Sequence, residues 1–108
     1  MDAEVVERLA REGSEFDVPA GQVVIEHGQP GLGLFVIRKG TVEVDAHWGV
    51  RQLGPGDVFG GRALREPQGE RTARVIARTD ARLVAVDRMT VERLCAGDPE
   101  LAFCFELD

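Results

Sequence analysis

The sequence predicts a mainly β domain, an eight-stranded β-roll or jelly roll with flanking N-terminal and C-terminal helices. Three observations carry this. Between Phe16 and Asp87 short β-rich runs alternate with Gly, Pro and Asp punctuation, and turn signals about every ten residues favour a sandwich or barrel over a β-α-β fold. The flanks, roughly 2–12 and 88–106, carry helical spacing of apolar residues. The length of 108 residues, with 44% hydrophobic and 30% charged, suits one domain around one core, taken as residues 1–108.

The elements follow in order. Val5, Val6, Leu9 and Ala10 share one helical face, and Gly13 is placed to cap that helix in a left-handed conformation. Pro19-Ala20-Gly21 is a turn and 23–25 a strand. After a second turn at 27–31, residues 34–38 form an apolar strand that turns at Lys39-Gly40. Residues 41–46 alternate, so one face is buried. His47-Trp48-Gly49 closes a hairpin onto 50–53, and Gly54-Pro55-Gly56-Asp57 turns into Val58-Phe59. Residues 60–70 carry little strand signal; 71–78 alternate again and 81–86 form the last strand. Asp87 N-caps a helix over 88–96, and Asp98-Pro99 starts a further short helix.

Composition excludes several classes. A net charge of -6 argues against direct nucleic-acid binding, which needs a basic surface. No apolar run approaches the ~20 residues of a membrane span, and the acidic start does not read as a signal peptide. Cys95 and Cys104 read as small buried apolar residues, so the cytoplasm is the expected location. His27 and His47 lack the His-x-His spacing of a metal-dependent cupin, and Ser14 is the only serine. With no nucleophile motif or Walker loop, an enzyme, a metal and a cofactor are not expected.

The chemistry concentrates in residues 56–75. Gly60-Gly61 permits positive φ and close backbone approach, ahead of a single helical turn at 62–65 whose free N–H groups suit an anion. If Ala73, Val75 and Ala77 face the core, Arg71 faces it too, while Thr72, Arg74, Ile76 and Arg78 face out. An inward Arg needs an anionic partner. That partner is either a carboxylate such as Glu66 or Glu70, or a ligand phosphate gripped by two hydrogen bonds.

These residues resemble the phosphate-binding cassette of cyclic-nucleotide-binding domains: Phe59-Gly60-Gly61-Arg62-Ala63-Leu64, a short gap, then Arg71-Thr72-Ala73. The stretches from Glu26 to Gln29 and from Leu34 to Gly40, and the turn at 54–57, fit the same family pattern. The resemblance covers about residues 14–107. It implies a non-enzymatic sensor of cyclic AMP, cyclic GMP or another phosphorylated small molecule. Arg71 would pair with the phosphate, Thr72 with the phosphate or base, and the backbone from Gly61 to Leu64 would cradle it. Ile25, Val44 and Val50 would pack on the nucleotide. The family's acidic ribose anchor is replaced by Gly61, and Arg62 adds a cation. That departure keeps a second reading open, a degenerate module acting through protein contacts. The implied partners are a small anionic ligand, an effector domain, or a second copy joined through a helix starting near Asp98.

Overall fold

The computed structural model describes residues 3–26, 33–46, 49–60 and 73–97. Helix α1 (Ala3–Glu12) leads into strands β1 (Ser14–Val18), β2 (Val23–Ile25), β3 (Gly33–Lys39), β4 (Val42–Ala46), β5 (Gly49–Leu53), β6 (Val58–Phe59), β7 (Ala73–Ala77) and β8 (Ala81–Asp87), and helix α2 (Arg88–Gly97) follows. The strands form two four-stranded sheets, ordered β1-β8-β3-β6 and β2-β7-β4-β5. Every recorded pairing is antiparallel. The expected β-roll with flanking helices is therefore observed.

Two apolar layers hold it together. Between the sheets lie Val18, Ile37, Phe59, Ala81 and Leu83 from the first sheet and Ile25, Val42, Val44, Val75 and Ala77 from the second. On the outer face of the first sheet, Leu34, Val36, Val84 and Val86 pack under Val6 and Leu9 of α1 and Val91 of α2. This explains why β3 reads as continuously apolar: both of its faces are covered. Strand β4 is covered on one side only, and its burial alternates strictly.

The punctuation does what its chemistry allows. Gly21 and Gly56 have φ of 90° and 89°. Each sits third in a turn closed by a backbone bond, Gln22 N–H to Pro19 C=O at 3.2 Å and Asp57 N–H to Gly54 C=O at 3.0 Å. Positive φ at that position is the type II signature, and in the second turn Pro55 precedes it. Asp87 accepts the Thr90 N–H at 2.7 Å and caps α2 as expected.

Gly13 differs from expectation. It is not among the positive-φ glycines. A Cβ there would lie 2.5 Å from Val84 Cγ1, so the glycine is required by close approach of the chain to β8. The second helix face also corrects the reading of Cys95, which is only partly buried against the layer under the helices. Cys104, His27, His47, Trp48 and the segment from Asp98 onward lie outside the described residues.

Candidate functional site

The cassette segment joins the two sheets at one end of the roll. Phe59 ends β6 in the first sheet, paired with Phe35. Ala73 begins β7 in the second, paired with Ala46. Gly60, next after Phe59, has φ of 91°, a conformation open to glycine and costly for other residues. The chain thus leaves the first sheet through a left-handed glycine and re-enters the second at Ala73. The remaining cassette residues Gly61, Arg62, Ala63, Leu64, Arg71 and Thr72, with Glu66 and Glu70, lie outside the described residues.

What borders that segment can be built from register. In antiparallel sheets directly opposed residues point to the same face. On the second sheet the level nearest the cassette is Gly49, Ala46 and Ala73. The next level is Arg51, Val44, Val75 and Ile25. Below it come Leu53, Val42 and Ala77. The level nearest the cassette thus carries the smallest side chains. On the inner face of the first sheet, the rings of Phe35 and Phe59 stack with centroids 5.2 Å apart, and Phe16 meets Phe35 edge-on at 6.1 Å. The inner face of the first sheet thus carries aromatic rings where β6 ends, and that of the second carries glycine and alanine where β7 begins.

The inward parity expected for Ala73, Val75 and Ala77 is observed, as is the outward facing of Arg74, Ile76 and Arg78. The outward arginines are engaged there. Arg78 holds both carboxylate oxygens of Glu43 at 2.8 Å, and Arg74 donates to Glu26 at 3.1 Å. They are not available to the inner face.

Ile25 and Val44 lie on the inner face, 4% and 6% exposed. Val50 does not join them. It is paired with Asp45, on the outer face, and is 62% exposed. The physical reason is the hairpin: with Ala46 opposite Gly49, the residue opposite Val44 is Arg51. The family resemblance alone carries Val50 to a nucleotide-packing position, and the register puts Arg51 opposite Val44 instead. The signal was present in the two residues between Ala46 and Gly49, which fix the register once the hairpin is accepted.

Two described carboxylates, Glu7 and Asp87, have lowered pKa. The Arg38 guanidinium, 2.6 Å from the Glu7 carboxylate, holds Glu7 below its ordinary value by hydrogen bonding and charge. The Thr90 N–H does the same for Asp87. Among the described residues there is no group of His, Cys, Asp and Glu fit to hold a metal ion. Nor is any helix among them long and apolar enough to cross a membrane.

Comparison with known proteins agrees with this architecture. The profile of the cyclic nucleotide-binding domain matches residues 15–98. A cyclic nucleotide-gated potassium channel of Mesorhizobium japonicum is 38% identical over 88 residues, covering 82% of this chain and 24% of the channel. A CRP-like cAMP-activated global transcriptional regulator of Mycobacterium tuberculosis is 30% identical over 108 residues, covering 94% of this chain and 48% of the regulator. The chain thus spans between 24% and 48% of the length of these two curated relatives. A solved structure from work on a cyclic-GMP-dependent signalling pathway in bacterial phytopathogenesis superposes with a TM-score of 0.84 at 31% identity, covering 97% of this chain and 87% of the other. The Thermus thermophilus catabolite activator protein superposes with a TM-score of 0.78 at 28% identity, covering 95% and 51%. Sheet order, the positive-φ glycine before the cassette and the profile match converge: this chain belongs to the cyclic nucleotide-binding domain family.

Proposed function

We propose that this domain is a non-enzymatic, ligand-sensing regulatory module that binds cyclic AMP, cyclic GMP or another phosphorylated small molecule at the mouth of the roll. The observation that carries the reading is the pairing of small and aromatic residues on the inner faces beside the cassette. The small row Gly49, Ala46 and Ala73 lies on the inner face of the second sheet where β7 begins, and stacked Phe35 and Phe59 on that of the first sheet just before Gly60 opens the cassette. On this reading Arg71, two residues ahead of inward-facing Ala73, grips the phosphate. The backbone from Gly61 to Leu64 cradles it, Thr72 adds a hydrogen bond, and Arg62 adds positive potential. Val44 and Ile25 pack against the rest of the ligand; Val50 has no part in it. Two relatives support the ligand class, being named for cyclic nucleotide gating and for cAMP activation. The domain would pass its signal to an effector domain or a second copy, in the cytoplasm.

Isothermal calorimetry with cyclic AMP and cyclic GMP tests this. Saturable heat is expected for the native chain. Arg71→Ala should weaken it about ten- to a hundred-fold, the loss of a charge-assisted pair. No heat from either nucleotide at millimolar concentration, with the protein folded, overturns the reading. Gly61, at the family's acidic position, is the observation behind the second reading, a module acting through protein contacts, which that outcome would leave standing.

A further inference from the structure

We propose that Lys39 and Arg82 form a docking site for an acidic segment of a partner polypeptide, on the outer face of the first sheet. Register puts three side chains in one row there: Asp17 of β1, Arg82 of β8 and Lys39 of β3. The row lies beyond Val36 and Val84, which the helices cover, and all three residues are exposed. Lys39 is the only lysine in the chain. Two cations directly opposite one another destabilise a sheet unless anions balance them. Arg82 is balanced on its other side, where its Nε donates to Asp17 at 2.9 Å and lies 3.8 Å from Glu15. Among the described residues, the two Nη atoms of Arg82 make no hydrogen bond, and the Lys39 side chain has neither a hydrogen bond nor an ion pair. Donors of two adjacent cations are thus left over.

The pair lines a groove of about 440 Å³ together with Asp17, Val18, Pro19, Asp80 and Ala81. An ammonium and a guanidinium side by side bridge the two oxygens of one carboxylate. Pro19, exposed at the rim, offers apolar surface to the residue next to that carboxylate. Asp80 accepts the Ala20 N–H through Oδ1 at 2.9 Å, which leaves Oδ2 to accept a backbone N–H of the partner. The two acids repel a compact, multiply charged phosphate. The mixed lining therefore fits a polypeptide better than a free phosphate. The walls are also preset: the Ala20–Asp80 bond and the Thr41 N–H to Thr79 Oγ1 bond at 3.0 Å tie three turns together. Preset walls lower the ordering cost of docking. Phe59, after which the cassette begins, pairs with Phe35 nearer the other end of β3. The site and the nucleotide reading therefore stand or fall separately.

A chain made with isotope-labelled lysine gives one lysine side-chain NMR signal, that of Lys39, which serves as the reporter. Titration with acetyl-Val-Glu-Val-amide at millimolar concentration should shift it saturably, and acetyl-Val-Gln-Val-amide should not. Arg82→Gln should weaken the acidic peptide about two- to fivefold. Lys39→Gln, followed through the backbone amides of Val18 and Ala81, should do the same, and Lys39→Arg should restore binding. Arg71→Ala should bind the peptide as the native chain does. No saturable shift, an equal shift with the Gln peptide, or undiminished binding in both Gln variants overturns the site. Weakened binding in Arg71→Ala moves the contact to the cassette and also overturns it. So does inorganic phosphate that saturates the signal at lower concentration than the peptide, which would make the pair a small-anion site.

Discussion

Asp87 closes β8 and opens α2 with one side chain, and its carboxylate works best charged. Accepting the Thr90 N–H at 2.7 Å lowers its pKa from the ordinary value. A folded-state pKa below the unfolded one adds stability that is present above the unfolded value, about pH 4, and is lost as pH falls through the folded one. Glu7, held low by Arg38, acts in the same direction. The denaturant midpoint should therefore fall on acidification below about pH 4. Asp87→Asn should flatten part of that fall, because Asn caps about as well and does not titrate. Parallel midpoint-versus-pH curves for the two proteins would exclude this role for Asp87. Glycines give a second contrast at this scale. Gly40 and Gly21 both have positive φ, 85° and 90°. A Cβ on Gly40 would lie 2.8 Å from Ala81 Cα and crowd the Asp80 carbonyl, whereas one on Gly21 meets nothing within 4 Å. Gly21→Ala should cost only the left-handed backbone, about 1–2 kcal/mol. Gly40→Ala should cost clearly more, read by urea unfolding.

Strand β3 serves two layers at once, so its residues test whether those layers matter equally. Leu34 points under the helices and lies opposite Val86, while Leu83 of β8, opposite Ile37, points between the sheets. Both leucines are 0% exposed. Leu34→Ala and Leu83→Ala should each cost about 2–5 kcal/mol by guanidinium denaturation. A near-neutral Leu34→Ala would mean that the helices contribute little to the fold. This two-layer geometry also explains what the sequence discloses. Strands β4 and β7 are legible because one face meets the core and the other meets water. Strand β1, Ser14–Val18, has one buried residue in five, so no alternation marks it. Its place is set by pairing with β8, far along the chain. The cassette is legible as a local string from Phe59 to Ala73, whereas the wall opposite it is assembled from separate strands. Arg51 and the Phe35–Phe59 stack follow from register and cross-strand contact, which local periodicity does not encode. The outer-face position of Val50 has the same origin, since a resemblance along the string does not say which face a residue takes.

At the scale of the whole molecule, the segment that would hold a ligand runs in sequence from the end of β6 in one sheet to the start of β7 in the other, so on the proposed reading binding is coupled to folding. A ligand that binds only the folded chain stabilises it by RT ln(1 + [L]/Kd), about 2.7 kcal/mol at a hundredfold excess over Kd. For a domain of about 100 residues, 1 kcal/mol corresponds to a Tm shift of roughly 4–8 °C. A saturating cyclic nucleotide should therefore raise Tm by more than about 10 °C, readable by calorimetry or dye-free fluorescence. The shift should grow with the logarithm of ligand concentration and shrink in Arg71→Ala. Charge sharpens the test. The chain carries a formal net charge of -6, so an anionic ligand meets overall repulsion, and any attraction must come from local cations such as the cassette arginines. Added salt weakens both contributions between exposed charges. If the cassette cations dominate, the ligand-induced shift should fall as salt is raised from low to physiological strength, despite the chain's negative charge. A shift that rises with salt would instead mean that the overall repulsion governs access to the mouth.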